Sequence, residues 1–212
     1  MPEKRTYGQA CPIAHSLDLV GERWALLVVR ELRLGPRRYG DLQAALPGIG
    51  PSVLSQRLRD LEAVGILRKR GKEYGLTEWG AELDPVFRAL AHWGVRSPVV
   101  PLEGAVGTDS MFLGLRTFFG SRDPQWTGSY EFRLDRDVYR VEVREGELVS
   151  LWRGRSGEPA AVVVETDDAT MGELFGGALT LAGAVESERA AVAGDVSDAQ
   201  RLLDASPLSA VR

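Results

Sequence analysis

The chain has 212 residues, 44% of them hydrophobic, with no apolar run near the ~18 residues a bilayer span needs and no basic-then-apolar leader. A folded protein of one large or two small domains, confined to the cytoplasm, is therefore expected. The formal net charge of −4 hides a division: residues 1–96 carry 15 Lys+Arg against 11 Asp+Glu (+4), whereas residues 97–212 carry 11 against 19 (−8).

Pro12–Val20 reads as a first helix, with proline in the opening turn where its missing N–H costs nothing, and with Ile13, Leu17 and Val20 available for packing. Trp24–Leu32 follows, with Trp24, Leu27, Val28 and Glu31 at helical spacing until Gly35-Pro36 stops it. Tyr39–Leu46 makes a third short helix that offers Leu42, Ala45 and Leu46 to a core and ends at Pro47-Gly48.

The segment Pro47–Lys72 is the most informative part of the chain. Gly50 serves as a cap, Pro51 fits a first turn, and Leu54, Leu58 and Leu61 recur at i, i+4 and i+7 before Gly65 terminates the helix Pro51–Val64. One face is thereby committed inward. Ser52, Ser55, Gln56 and Arg59 fall elsewhere and bring hydroxyls, an amide and a guanidinium, the groups that hydrogen-bond base edges and phosphates in a major groove. Ile66–Arg70 and Lys72–Leu76 then form two short extended runs about Gly71, with Lys69, Arg70 and Lys72 at the tip. Across Arg37–Lys72 the bases Arg37, Arg38, Arg57, Arg59, Arg68, Lys69, Arg70 and Lys72 outnumber the acids Asp41, Asp60 and Glu62. A basic wing on phosphates is the functional reading, and a hairpin with solubilising charges is the alternative. Arg57 borders the buried stripe and has a second reading as the partner of an acid such as Glu62.

Thr77–Trp93 begins at a capping Thr and aligns Leu83, Val86, Phe87, Leu90 and Trp93 as one apolar stripe. That is more apolar surface than a small winged core needs. The helix, together with the first one, is expected to pack across a two-fold axis in a homodimer, with packing inside the monomer as the alternative.

Taken together, residues 7–96 resemble the HxlR-type winged helix-turn-helix transcriptional regulators of bacteria. The resemblance rests on Cys11-Pro12-Ile13, Leu19-Val20-Gly21-Glu22-Arg23-Trp24, Gly35-Pro36-Arg37-Arg38-Tyr39 with Asp41-Leu42, Pro47-Gly48-Ile49, Leu54-Ser55-Gln56-Arg57-Leu58 with Leu61-Glu62, and Tyr74-x-Leu76-Thr77 with Gly80. It implies a dimer on a palindromic or repeated operator in double-stranded DNA, with the fourth helix in the major groove. Arg23 stands where the family usually has lysine, and the hairpin is shorter than the usual wing. The helix Pro51–Val64 is accordingly the expected carrier of specificity.

Cys11, the one cysteine, cannot form an intramolecular disulfide or a paired-cysteine zinc site. The resemblance implies a possible redox-sensing role, since some family members sense oxidants or electrophiles through a cysteine here. A helix N-terminus and the nearby Lys4 and Arg5 would favour the thiolate, while a small buried hydrophobe is the alternative reading.

Gly94–Gly107, with three glycines and two prolines, reads as a linker, centred on residues 97–107. The expected domains are thus 1–96 and 108–212. In the second, Thr108–Phe119 is a helix, and Ser129–Leu134, Val138–Arg144, Leu148–Arg153 and Ala160–Glu165 are strands of an antiparallel meander. Helices at Asp168–Phe175 and Leu179–Gly183, a strand at Ala190–Val192 and a helix at Asp198–Leu203 complete an α+β domain. This order, with Leu174-Phe175-x-Gly177-x-Leu179-Thr180-Leu181 and Val192-Ala193-Gly194-Asp195, is similar to the sterol carrier protein type two fold. The resemblance implies a helix-covered sheet around an apolar cavity for a hydrophobic small-molecule effector. Phe112, Leu115, Phe119, Trp126, Trp152 and Phe175 are the candidate lining, with ordinary core as the alternative.

Enzymatic chemistry is not expected. Nucleophile elbow, phosphate-binding glycine loop and HExxH spacing are missing, His15 and His92 are isolated, and the acids Asp135, Asp137, Glu145, Glu147, Asp167 and Asp168 sit beside turn residues. No cofactor and no metal is called for. The chain reads as a dimeric operator-binding regulator, a repressor, whose acidic second domain binds an effector or supports assembly. Expected base contacts come from Ser52, Ser55, Gln56 and Arg59, and phosphate contacts from Arg37, Arg38, Arg57, Lys69, Arg70 and Lys72. The competing reading is a hydrophobic-ligand carrier or interaction scaffold without operator binding.

Overall fold

Residues 6–98, 106–121 and 123–205 are described by the computed structural model. They divide between Phe87 and Arg88 into two units, each with its own sheet. The division falls upstream of the glycine- and proline-rich segment 94–107, of which residues 99–105 lie outside the described part.

The first unit contains α1 (Pro12–Val20), α2 (Ala25–Leu32), β1 (Arg37–Arg38), α3 (Tyr39–Ala45), α4 (Pro51–Ala63), β2 (Leu67–Arg70), β3 (Glu73–Leu76), α5 (Glu78–Ala81) and the start of α6 (Asp84–Gly94). Val28, Val29 and Leu32 of α2, Leu42 of α3, and Leu54, Leu58 and Leu61 of α4 meet in one buried cluster with Ile66 and Leu67. The i, i+4, i+7 leucines of α4 bind it to α2, and each fully buried leucine contributes about 1.5–3 kcal/mol of transfer free energy. Trp24, the residue before α2, adopts a left-handed backbone (φ 76°) and packs on this cluster. Such a conformation costs a bulky residue about 1–3 kcal/mol, so surrounding contacts must enforce it.

Two departures from the sequence reading matter here. The run Thr77–Trp93 is two helices, not one, because Pro85 has no N–H to bond the carbonyl of residue 81 and restarts the chain as α6. The wing is also larger than a hairpin: β1 pairs antiparallel with β3, giving the order β1-β3-β2. Two residues are too few to show a strand period in sequence.

The second unit contains α7 (Thr108–Phe118), β4 (Gly128–Arg133), β5 (Val138–Arg144), β6 (Glu147–Arg153), β7 (Val162–Thr166), α8 (Asp168–Phe175), α9 (Leu181–Glu186), β8 (Ala190–Ala193) and α10 (Val196–Asp204). The sheet order is β6-β5-β4-β7-β8. The expected all-antiparallel meander holds for β4-β5-β6 only. After β6 the chain crosses to the far side of β4, where β7 runs parallel to it, with Tyr130 opposite Val162 and Phe132 opposite Val164. This mixed sheet follows from the connection Gly154–Ala161, too long for a tight hairpin and hence free to carry the chain past two strands. Tyr130, Phe132, Tyr139, Val141 and Val164 alternate onto one buried face, where Phe112 of α7 stacks on Tyr139 (centroids 4.0 Å apart) and meets Phe132 and Phe175 edge-on.

Polar anchors accompany this core. Arg153 Nη1 donates to Asp109 Oδ2 (2.5 Å) and Tyr139 Oη donates to Asp109 Oδ1 (2.6 Å), fixing the first turn of α7 to the sheet. Burial, reinforced by the Asp109 charge, drives the Tyr139 phenol far above its ordinary range. On the opposite sheet face, Arg140 is 2% exposed and lies 3.4 Å from Glu131, which pairs more closely with Arg133 at 2.7 Å.

Candidate nucleic-acid interface

The helix-turn-helix is built by α3, the turn Leu46–Gly50 and α4. Tyr39 Oη donates to the Pro51 carbonyl (2.9 Å), Gln43 Nε2 donates to the Ile49 carbonyl (2.7 Å), and Ser55 Oγ donates to Tyr39 Oη (3.3 Å). These bonds fix the entry of α4, whose Pro51 follows the extended cap residue Gly50. At its exit, Gly65 takes a left-handed φ of 77° and Thr77 Oγ1 donates to the Gly65 carbonyl (2.7 Å). Gly80 lies against the Ile66 carbonyl with no room for a Cβ, and its N–H is capped by Thr77 Oγ1 (3.0 Å). The recognition helix is thus tied at both ends.

Of the candidate base-contacting residues, Ser52, Gln56 and Arg59 are exposed, while Ser55 is half-buried and engaged by Tyr39. Gln56 is not a free reader. Its Nε2 donates to Asp60 Oδ1 (2.7 Å), and its Oε1 accepts from Arg59 Nη2 (2.7 Å). Arg59 keeps its other N–H groups without partners among the described residues. Arg57 departs furthest from the sequence expectation: its side chain is only 17% exposed and pairs with Asp60 (3.4 Å) and Glu22 (3.7 Å). Glu62, the example of an acidic partner in the second reading of Arg57, instead accepts the backbone N–H of Lys69 (3.2 Å) and anchors the start of the wing to α4.

At the wing, Arg70 pairs across the ladder with Glu73, and the turn Gly71-Lys72 has φ +60° at its glycine, as a primed two-residue turn demands. Arg68, Lys69, Arg70 and Lys72 are all exposed, with Lys69 Nζ 5.3 Å from the Tyr74 ring centroid. Arg38 sits 3.8 Å from Glu73, and Arg37 lies opposite Tyr74 in the third strand. The structure therefore gathers Arg37, Arg38, Lys69, Arg70 and Lys72 on one small sheet and leaves Ser52, Gln56 and Arg59 on α4. Sequence reasoning missed the positioning groups Tyr39, Gln43 and Asp60. The i, i+4 spacing of Gln56 and Asp60 was the available signal for one of them.

Cys11 is the residue before α1 and half-buried; Lys4 and Arg5 lie outside the described residues. His15 is exposed on α1, and His92 packs edge-on against Phe118 (4.9 Å).

The candidate effector residues do not converge on one cavity. Phe112 and Leu115 are 0% exposed, and Phe175 belongs to the closed aromatic cluster with Phe112. Phe119 and Trp126 form a separate pair (5.5 Å), and Trp152 is half-buried on β6. Of the six, Phe112, Leu115 and Phe175 are packed core, while Phe119 and Trp152 are only partly covered. An open depression of about 400 Å³ is lined by Gly120, Asp123, Trp126, Arg201 and Asp204. It is charged: Arg201 lies 4.3 Å over the Trp126 ring and pairs with Asp123 at 2.7 Å, holding that carboxyl below the usual range. Beneath it the Trp126 indole donates to Tyr130 Oη (2.9 Å), which donates to Asp198 (2.7 Å). Burial foremost, then that carboxylate, pushes the Tyr130 phenol well up.

Among the described residues no group of three potential metal ligands occurs, and no helix is long and apolar enough to cross a membrane. A helix-turn-helix with an exposed polar recognition face and a basic three-stranded wing defines a winged helix-turn-helix protein of the DNA-binding class. The HxlR-like helix-turn-helix family description matches residues 19–98. The chain is 43% identical over 94 residues to the HTH-type transcriptional regulator sll1512 of Synechocystis, which spans 41% of this chain and 70% of that protein. It is 32% identical over 93 residues to YvaP of Bacillus subtilis, covering 40% of this chain and 86% of that regulator. A regulator of Mycobacterium bovis, Mb3122, is 42% identical over 89 residues, 39% of this chain and 56% of its own length. The chain belongs to the HxlR-like helix-turn-helix family.

Proposed function

We propose that this protein is a sequence-specific transcriptional repressor that binds operator DNA as a homodimer. The observation that carries the reading is the pairing of α4, held at both ends with Ser52 and Arg59 exposed, with a wing whose Lys69, Arg70 and Lys72 face solvent. Helix N-terminal residues in the groove read bases while the wing neutralises phosphates. Support for the dimer comes from apolar residues left uncovered: Ile13 is 72% and Trp93 73% exposed, with Leu17, Val86 and Leu90 also exposed. Of the stripe expected along Thr77–Trp93, only Leu83 and Phe87 pack on the core of the first unit. Symmetric self-association is the usual cover for exposed apolar residues of this kind.

The second domain, residues 108–212, we read as a sterol carrier protein type two-like module; helices packed on a mixed five-stranded sheet favour that reading. Its role is assembly or effector binding, and the charged depression beside Trp126 is the place to which the effector reading is directed. Gel-shift titration of the chain's own upstream DNA against random competitor tests the whole. Preference for one promoter fragment, weakened by Arg59→Ala and by rising salt, is expected. Equal binding to promoter and random DNA at moderate salt would overturn the operator reading and leave the scaffold alternative.

A further inference from the structure

Resting on that operator reading, we infer that Val53 is a specificity-determining residue that reads the 5-methyl group of a thymine in the major groove. Leu54, Leu58 and Leu61 are buried in α4, whereas Val53 is 40% exposed and is the only large apolar side chain that this helix leaves in solvent. A valine has no polar use at a surface. It stands at the third position after the Gly50 cap, in the helical turn that enters the groove first. Its neighbour Ser52 is also exposed, and its hydroxyl has no hydrogen-bond partner among the described residues.

The polar groups on the same side are arranged in a way that strengthens this assignment. Val53, Gln56 and Asp60 follow at i, i+3 and i+7, so they share one flank of the helix. The Gln56 amide is occupied at both ends, its nitrogen by Asp60 and its oxygen by Arg59. An adenine-reading amide would need both ends free. With Gln56 serving as a strut, the groups left to face base edges are the methyls of Val53, the hydroxyl of Ser52 and the remaining N–H groups of Arg59. A β-branched methyl pair matches a thymine methyl, and a guanidinium with donors only matches the N7 and O6 acceptors of guanine. Arg59 is six helical steps beyond Val53, about 9 Å along the axis, so the two bases read would lie roughly two to three base pairs apart.

The test begins with a duplex selected by the full-length protein from a random pool, then remade with uracil in place of thymine at one position at a time. Uracil pairs identically and lacks only the methyl. At one position in each half-site, uracil is expected to weaken wild-type binding about fourfold, the worth of one buried methyl group. The Val53→Ala protein, checked for an unchanged melting temperature, should bind the thymine and uracil duplexes equally there, while a 7-deazaguanine two or three base pairs away still weakens it. Tight selection of a duplex that tolerates uracil everywhere would overturn the inference and leave operator recognition standing. So would a uracil effect that persists in Val53→Ala. A pool that yields no preferred duplex would remove both readings together.

Discussion

Arg57 Nη2 stands 3.4 Å from Oδ2 of Asp60, one turn further along α4, and the same guanidinium is 3.7 Å from Glu22. Glu22 lies between α1 and α2, so the pair ties the recognition helix to its scaffold instead of offering Arg57 to a phosphate. Arg59, two residues on, has the reverse character: exposed, and buttressed by Gln56. Substituting these neighbours is expected to separate stability from binding. Arg57→Ala should lower stability by about 1 kcal/mol, as loss of a partly buried ion pair does, with little change in the salt dependence of DNA binding. Arg59→Ala should leave unfolding unchanged and cost about 1–3 kcal/mol of discrimination against non-operator DNA. Urea unfolding and competition gel shifts measure the two; equal loss of specific binding in both variants would contradict the division.

The wing makes a different kind of contribution, independent of base sequence. Arg70 and Lys72 flank the Gly71 turn and are exposed, so each is placed to release one condensed counterion on binding. Replacing both by alanine should reduce the slope of log affinity against log salt by about two and weaken operator and random DNA alike. An unchanged slope would mean that the compact wing stays off the backbone.

The apolar residues Val86, Leu90 and Trp93 of α6 predict the assembly. Glutamate at Leu90, 43% exposed in the single chain, would bury a charge in the proposed interface yet meet only water in a monomer. Leu90→Glu should therefore convert a dimer to a monomer in sedimentation velocity without lowering the monomer's own folded content. Persistence of the dimer would place the interface elsewhere.

How much of this was open to sequence reading depended on the range of the interaction involved. α1, β5 and α8 begin and end where proline, charged turns and Asp167 put them, because local propensity and packing agree there. The leucines of α4 announced its inward face, and the exposed Ser52, Gln56 and Arg59 follow from the same period. Pairing across the chain was not legible: β1 is two residues long, and β7 runs parallel to β4 through a crossover whose destination no local pattern encodes. Arg57 illustrates the same limit within the site. Its acidic partner had to be nearby, yet only the fold could choose Asp60 and Glu22 over Glu62. Val53 escaped notice because a search for polar base readers passes over a valine.

For the second unit, Phe112 separates packed core from ligand pocket. Its ring is stacked on Tyr139 and crossed by Phe132 and Phe175, with no exposed surface. Phe112→Ala should destabilise this unit by about 3–5 kcal/mol, the usual cost of removing a buried phenyl ring. A loss under 1 kcal/mol would show that the cluster encloses adaptable space, and the effector reading would regain these residues.

The buried phenols give the unit a pH signature at the alkaline end. Tyr130 and Tyr139 are both driven upward, first by burial and then by the carboxylates of Asp198 and Asp109 that accept their protons in hydrogen bonds. A folded pKa raised above the unfolded value near 10 means that the contribution to stability is complete below about pH 10. It is lost as pH climbs above that, since the unfolded chain releases two protons that the fold retains. Alkaline unfolding should accordingly steepen above about pH 10. In the native protein neither residue should contribute to the phenolate absorbance that rises around that pH, so Tyr130→Phe and Tyr139→Phe are expected to leave the native titration amplitude unchanged. Each should remove one tyrosine's worth when the same titration is run in urea. A native amplitude that falls in either variant would show that the phenol ionises inside the fold, against the hydrogen bond to its carboxylate.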